Sequence, residues 1–221
     1  MTEKNKQMYD DFQLVYNNLA SNLAPGLDVY EISMYLTKAY FSLVEEAYNN
    51  YEQSEFFRKF LIGLVKSKKI PPSNSDIEKI ASGSIFFKIP EDVLYVLYES
   101  LEMSDKANKC IQGKSIKIVP VTHDDFHNTY ENPFKFNLKK ALRLDISNGD
   151  NYAEIVSKDS SIKSYNIRYI KKPLPIILET LTGEDKIEGI QEETECELNS
   201  TVFPKIVQLA AKMAYQNYKT I

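Results

Sequence analysis

The sequence predicts an α+β fold, on the strength of three observations. Apolar residues recur at helical spacing in the first third, the middle alternates with the period of strands, and an amphipathic segment closes the chain. We therefore expect a single subunit spanning 1–221. It would have an N-terminal helical bundle in 1–70, an antiparallel β-rich middle in 84–180 and a closing C-terminal helix in 200–218.

The first third of the chain is predicted to form three helices. Pro25 and Gly26 end the first helix, and Asp28 with Glu31 three residues later has the spacing of a capping box for the second. The third helix runs into a basic stretch that contains Pro71 and Pro72, which we interpret as a boundary. The predicted helices span 10–23, 29–49 and 52–65, and the boundary stretch spans 66–75.

The middle of the chain is predicted to be a meander of strands. Segment 93–101 fits either a strand or a helix, and its β-branched and aromatic residues favour a strand. Asn148–Gly149 is the strongest turn signal and predicts a hairpin. Pro173 and Pro175 confine the last strand to an edge or to an irregular path. The predicted strands span 84–89, 93–101, 114–121, 141–146, 152–156 and 164–178.

Two further segments complete the assignment. Thr122 followed by Asp125 predicts an N-cap for a short helix over 123–131. An acidic loop over 182–197 leads to Ser200, which we expect to cap the closing helix.

Composition places the chain among folded proteins and narrows its function. The formal net charge of −4 disfavours a dedicated nucleic-acid binder. Fifteen tyrosines and eleven phenylalanines suit surfaces that become buried on assembly, although a tyrosine-rich core is an equal reading. Cys110 and Cys196 lack metal-binding spacing and indicate reduced thiols in a cytoplasmic setting. The N-terminal segment has no apolar run typical of a signal peptide.

The two histidines of the chain raise the question of a metal site. His123 and His127 share a helix face if 123–131 is helical, and Asp124 lies beside them. A hydrolase of this type needs further histidine ligands, and the chain has none. We interpret the segment as the start of a capped helix, where the helix dipole favours Asp124 and Asp125.

Other motifs carry weaker signals. Gly113–Lys114–Ser115 resembles the end of a P-loop, but Asn108 stands where the first glycine belongs. The glutamates of the acidic loop suit a cation site, a catalytic pair of carboxylates or, more simply, a solvated loop. The basic clusters suit phosphate, an acidic partner subunit or solvent. These glutamates are Glu192, Glu193, Glu195 and Glu197. The first basic cluster contains Lys66, Lys68 and Lys69, and the second contains Lys171 and Lys172.

Several blocks resemble a family of head-to-tail connector ring (adaptor) proteins from crAss-like and related tailed bacteriophages that infect Bacteroidetes. Their order spans nearly the whole chain, which carries more weight than any single block. The similar blocks are 16–40, 86–101, 120–134, 167–178 and 196–216.

The resemblance implies a virion structural protein that is assembled in the host cytoplasm. It implies a homo-oligomer, a dodecameric ring, that binds the portal protein and adjacent neck or tail ring proteins. DNA would pass through the lumen during genome ejection without sequence-specific binding. The family pattern contains no catalytic, cofactor-binding or metal-binding residue to assign, and no membrane partner.

Two alternatives remain open from the sequence. The first is a metal-dependent hydrolase centred on His123, Asp124 and His127. The second is a soluble host or phage adaptor that is not part of the particle. We take the virion ring protein, with no enzymatic activity and no cofactor, as the leading hypothesis.

Overall fold

A computed structural model describes residues 1–20, 25–74 and 77–220, and it confirms the α+β class. The chain forms two compact units. The helical unit comprises Met1–Leu64 and Pro173–Ile221, and the sheet unit comprises Val65–Lys172. Within the described residues the α-helices are α1 (Glu3–Ala20), α2 (Val29–Asn49), α3 (Glu55–Leu61), α4 (Phe126–Tyr130) and α5 (Phe203–Thr220). The strands are β1 (Val65–Ile70), β2 (Ile85–Lys88), β3 (Val93–Met103), β4 (Ser115–Pro120), β5 (Lys140–Asn148), β6 (Asp150–Val156) and β7 (Ile162–Lys171).

The helix α2 has the bounds that its capping pattern predicts. Asp28 accepts a hydrogen bond from the Glu31 amide at 2.7 Å, and the Glu31 carboxylate accepts one from the Asp28 amide at 3.0 Å. This reciprocal pair satisfies two amides that a helix start otherwise leaves without partners. The local sequence alone therefore determines where α2 begins.

The first and third helices differ from their predicted limits. Helix α1 begins at Glu3, and its predicted residues 21–23 lie outside the described part of the chain. Helix α3 is shorter than predicted: it begins after its N-cap Ser54, and a 3-10 turn over Ile62–Leu64 follows it. Apolar spacing cannot distinguish this tightened turn from a continuing helix.

The segment after residue 172 is fastened to the helices by buried hydrogen bonds. The Thr37 hydroxyl accepts a bond from the Ile176 amide at 3.0 Å and donates to the Ile176 carbonyl at 3.1 Å. The buried Asn5 side chain donates to the Ile177 carbonyl at 3.1 Å. Polar side chains of α1 and α2 thus replace a strand partner for this irregular backbone.

Of the two alternatives predicted for Pro173 and Pro175, the edge strand is wrong and the irregular path is confirmed. Strand β7 ends at Lys171, before both prolines, and it is paired on both sides, with β1 and with β3. The stretch interpreted as a boundary lies where the sheet unit begins, and it contains an edge strand, β1, that was not predicted. Its lysines are exposed, as is common on sheet edges, where charge discourages further pairing.

In the described part of the chain the sheet has seven strands, in the order β1-β7-β3-β4-β5-β6-β2, all within the sheet unit. All pairs are antiparallel except β4 with β5, which is parallel, so the sheet is mixed. The predicted hairpin is present: Gly149, at φ 74°, lies between the paired residues Asn148 and Asp150. After β1, the Ser73 amide donates to the Phe86 carbonyl of β2 at 2.8 Å, which links the two ends of the strand order.

The sheet buries apolar side chains on both faces. On one face lies the larger cluster, with Phe87, Leu101 and Tyr165 among its fully buried members. On the opposite face a smaller cluster forms where Phe126 of α4 packs with Leu142 and Leu144 of β5. The second face is covered only in part, and this determines which residues remain available to a partner.

The closing helix begins close to its predicted start but has a different cap. Asn199, not Ser200, provides the capping side chain, and its Oδ1 accepts a bond from the Thr201 amide at 3.0 Å. A short 3-10 turn, Ser200–Val202, then leads into α5, with Pro204 tolerated in the first turn.

Candidate functional site

The histidine segment is a short helix held down by an apolar anchor. Phe126 is buried and its ring stacks on Tyr130 at 5.3 Å between centroids, whereas His123 and His127 are exposed. The predicted N-cap at Thr122 is wrong: Asp125 occupies the N-cap position without a capping side-chain bond, and the Thr122 hydroxyl only contacts the Asp125 amide at 3.4 Å. The helix itself is shorter than expected, Phe126–Tyr130.

The geometry of the two histidines does not form a metal centre. His123 Nε2 lies 3.3 Å from the Asp145 carbonyl oxygen. The rings of His127 and Phe126 pack edge to face, with their centroids 5.5 Å apart. In 1–20, 25–74 and 77–220, no group of three histidine, cysteine or carboxylate side chains is arranged to hold a metal ion. The segment therefore does not supply the ligand set that a hydrolase of the proposed kind requires.

The acidic run after residue 190 is used within the helical unit. Glu193 accepts hydrogen bonds from the Thr2 amide and from Asn5 Nδ2, the latter at 3.0 Å. The bond from the Thr2 amide is the main cause that lowers the pKa of Glu193. Glu195 pairs with Lys4 at 2.8 Å, and this hydrogen bond lowers its pKa. These two carboxylates hold the start of α1 rather than a cation.

The remaining sequence motifs serve the local structure. At the P-loop-like site, Lys114 Nζ donates to the Cys110 carbonyl at 2.9 Å and Gly113 adopts a φ of 63° in the turn before β4. Cys110 is exposed, while Cys196 is buried, and burial raises the pKa of its thiol to about 11. Neither thiol has a metal-binding neighbourhood within the described residues.

The sequence did not predict a largely buried ionic network inside the sheet unit. Arg143 donates to the Glu99 carboxylate at 2.8 Å, and the Tyr165 hydroxyl donates to the same oxygen at 2.7 Å. Burial, followed by the Glu99 charge, raises the pKa of Tyr165 well above its usual value. The three residues come from β5, β3 and β7, so only the strand order brings them together.

A second buried carboxylate lies on the opposite face. Glu154 of β6 is fully buried and accepts hydrogen bonds from the Ile80 amide at 2.8 Å and from the Ser84 hydroxyl. It fastens the segment before β2 to the sheet. No ion pair to Glu154 occurs in the described ranges.

The part of the second face that carries exposed cations forms a surface that we call the basic face. Residues directly opposite each other on neighbouring strands share a face of the sheet. One row across the strands runs through Ser67, Arg168 and Tyr98. A neighbouring row runs through Lys69, Asn166, Ser100, Lys117 and Lys140. The basic face is defined as Lys69, Tyr98, Lys117, Phe134, Lys140 and Arg168.

Phe134 belongs to this surface through its neighbour Lys140. Lys140 Nζ donates to the Phe134 carbonyl at 3.4 Å, so the two residues are adjacent. The Phe134 side chain is 86% exposed and that of Tyr98 is 58% exposed. Solvent-exposed aromatic groups beside cations are typical of surfaces that bind a partner.

The charges of the basic face are mostly uncompensated. Lys69 pairs with Glu102, which also pairs with Lys163 at 2.7 Å. Lys117 and Arg168 are exposed and make no ion pair in the described part of the chain. Of the cations of the basic face, only Lys69 belongs to a cluster that is recognisable in the sequence, because the others come from strands that are distant in sequence.

Comparison with known proteins identifies the family. The model of a family described as phage tail ring protein 3/4 matches residues 1–221. The chain belongs to this family. It is similar to Ring protein 3 of Bacteroides phage crAss001, with 33% identity over 219 residues that cover 95% of this chain and 94% of the relative. Ring protein 4/5 of the same phage is 30% identical over 230 residues, covering 95% of this chain and 91% of the relative.

Membership in the family decides between the classes that the sequence left open. The chain is a structural ring component of the phage virion tail and not an enzyme, so the hydrolase alternative is set aside. The resemblance to crAss-like phage ring proteins is confirmed at the level of the tail ring family. None of the described helices combines the length and apolar character needed to cross a bilayer.

Proposed function

We propose that this chain builds a ring of the portal–tail neck, the head-to-tail connector, and continues the DNA channel there. The whole chain, 1–221, would act as a single connector subunit in a homododecamer. One side of the ring would bind the portal protein and the other an adjacent neck or tail ring protein. DNA would pass through the lumen during ejection without sequence-specific binding, and the protein would need no cofactor.

The observation that carries this proposal is the match of the ring family over the full chain, residues 1–221. Exposed aromatic and apolar side chains support it, since a subunit between two neighbours and two adjacent rings needs several contact surfaces. Phe134, Ile62 and Tyr98 are each more than half exposed. The net charge of −4 also supports it, because cations that neutralise DNA phosphates add affinity and slow passage.

Electron microscopy of the purified chain, alone and with portal protein, tests the proposal. We expect closed rings with a central pore, and two-dimensional class averages should give the number of subunits directly. A compact monomer that never assembles, even with portal protein, would overturn the neck-ring assignment.

Mass spectrometry of purified particles tests the location. We expect the chain in intact virions at a fixed ratio to the portal protein, near one to one if both rings have the same symmetry. Presence only in infected-cell lysate would instead favour an adaptor outside the particle.

A further inference from the structure

We propose that the basic face of one copy binds residues 179–192, which we call the 179–192 loop, of the next copy around the ring. The inference rests on the proposed function, because it needs the chain to assemble with itself. It deepens that function by assigning the two surfaces that meet at each subunit boundary.

The first argument is the distribution of charge between the two units. Eighteen of the 27 basic residues and fourteen of the 31 acidic residues lie in Val65–Lys172, which gives the sheet unit a formal net charge of +4. The helical unit carries −8, and the two add to the −4 of the whole chain. One chain therefore offers both a cationic and an anionic partner surface.

The second argument is the arrangement of cations on the basic face. Lys117 of β4 lies directly opposite Lys140 of β5 in the parallel pair, and Arg168 lies two residues along β7 from the row that holds both. Like charges directly opposite each other on a sheet destabilise the isolated strands. An acidic partner removes that cost, so the arrangement fits a surface that is covered in the assembly.

The third argument is the presence of side chains suited to the centre of an interface. Phe134 and Tyr98 provide large exposed rings, and Arg168 provides a planar cation that binds carboxylates in two-point contacts. Tyrosine and arginine are over-represented among the residues that dominate binding energy. Lysines then form the rim, where they favour encounter with an acidic partner.

The 179–192 loop carries the charge that is complementary to the basic face. It contains five exposed carboxylates against one lysine, Lys186. The carboxylates are Glu179, Glu184, Asp185, Glu188 and Glu192. Glu193 and Glu195, which follow the loop, pair with the N-terminal segment and are not counted with it.

The loop is also held in one shape, which lowers the entropic cost of binding. The Leu181 amide donates to the Gln191 carbonyl at 2.8 Å, and Ile187 and Ile190 exchange two backbone hydrogen bonds at 3.0 Å. The Gln191 side chain donates to the carbonyls of Gly183 and Asp185, at 3.0 and 3.2 Å. The exposed carboxylates thus project from a preformed hairpin-like loop.

A second copy fits these features better than DNA does. The Phe134 ring, which is 86% exposed, suits an apolar protein contact, and residues 179–192 of the same chain supply a segment of complementary charge. Two different patches that bind each other form a heterologous contact, which generates a ring when the rotation closes.

Charge reversal on each surface provides the test. One variant carries Lys117→Glu and Arg168→Glu, and a second carries Glu184→Lys and Asp185→Lys. Each should fold, because all four side chains are exposed, and circular dichroism checks this. Each alone should associate at least about tenfold more weakly than the wild type, since like charges facing each other across an interface cost several kcal/mol.

Mixing the two variants is the decisive measurement. At every boundary of an alternating ring, the reversed basic face would meet the reversed loop, or the native face would meet the native loop. We therefore expect the equimolar mixture to restore closed rings that contain both variants, as read by electron microscopy and native mass spectrometry. Matched controls place the same charge changes elsewhere: Lys106→Glu with Lys109→Glu, and Glu45→Lys with Glu46→Lys. All four of these positions are exposed, and these variants should form rings as the wild type does.

Each outcome has a distinct meaning. If both charge-reversal variants form rings as the wild type does, the inference is wrong but the proposed function stands. The same holds if the equimolar mixture of the two variants does not form rings. A wild type that never self-associates overturns both. Rings that persist while the Lys117→Glu, Arg168→Glu variant loses salt-sensitive DNA binding overturn the inference and assign the basic face to DNA.

Discussion

The helical unit and the sheet unit use polar groups in opposite ways. In the helical unit the ion pairs of Glu193 and Glu195 are partly exposed and hold the N-terminal segment, while uncharged side chains make the buried hydrogen bonds. In the sheet unit, the largely buried Arg143 pairs with the buried Glu99, and Lys117 and Arg168 lie on an exposed face. The comparison separates charges that stabilise a unit from charges that are available to a partner.

The largest expected effect comes from breaking the buried pair of the sheet unit. Arg143→Ala leaves Glu99 and the Tyr165 hydroxyl without the guanidinium, which should lower the free energy of unfolding by about 3–5 kcal/mol. Urea unfolding followed by circular dichroism measures it.

Arg58→Ala is the matched control in the helical unit. Arg58 is exposed on α3, so its loss should change the free energy of unfolding by no more than about 0.5 kcal/mol. If Arg143→Ala and Arg58→Ala lower the free energy of unfolding equally, the pair of Arg143 with Glu99 contributes no more to stability than an exposed arginine does.

A smaller effect is expected from the uncharged hydrogen bonds of the helical unit. Thr37→Val keeps the shape of the side chain but removes the hydroxyl that both accepts from and donates to Ile176. The buried amide and carbonyl of Ile176 then lack a partner, which should cost about 1–3 kcal/mol. Ser42→Ala removes an exposed hydroxyl from the same helix and should have little effect. If thermal unfolding finds the two variants equally stable, the Thr37 bonds do not fasten this segment.

The smallest effect concerns pH and the rim of the basic face. Hydrogen bonds from Lys163 and then from Lys69 lower the pKa of Glu102 from 4.5 to about 2. A carboxylate with a lowered pKa in the folded state stabilises the protein above pH 4.5, and this contribution is lost as the pH falls from 4.5 towards 2.

Titration of the Glu102 carboxyl by NMR should therefore give a midpoint near pH 2. Lys163→Met should raise the midpoint more than Lys69→Met does, and Glu102→Gln should flatten the acid branch of the stability curve. A wild-type midpoint near 4.5 would contradict the lysine–glutamate–lysine arrangement.

Local signals explain which parts of the fold could be predicted from the sequence. Asp28 with Glu31, and Asn148 with Gly149, determine their own backbone conformations, so α2 and the β5–β6 hairpin were correctly located. The position of β7 in the sheet interior and the parallel pairing of β4 with β5 depend on contacts between distant segments. Periodicity carries no information on strand order, and the prolines after β7 suggested the wrong position for it.

The same limit applies to the functional surfaces. The exposed lysines of β1 are close together in sequence and were noted, but Lys117 and Arg168 are 51 residues apart and meet on one face only through the register of three strands, β4, β3 and β7. The histidines attracted attention as a rare residue type, yet they lie exposed around a buried Phe126. The rare histidines thus indicated the functional surface less well than the strand pairing of common lysine and arginine residues does.

The two ends of the sheet unit lie side by side, since Val65 pairs with Ile170 at its boundary. The chain therefore leaves the helical unit after Leu64 and returns to it at Pro173 through two neighbouring strands, β1 and β7. A module with adjacent entry and exit points can be exchanged for another of different length at small entropic cost. A change of length at a loop tip of the sheet unit would therefore leave the separation of Leu64 and Pro173 unchanged.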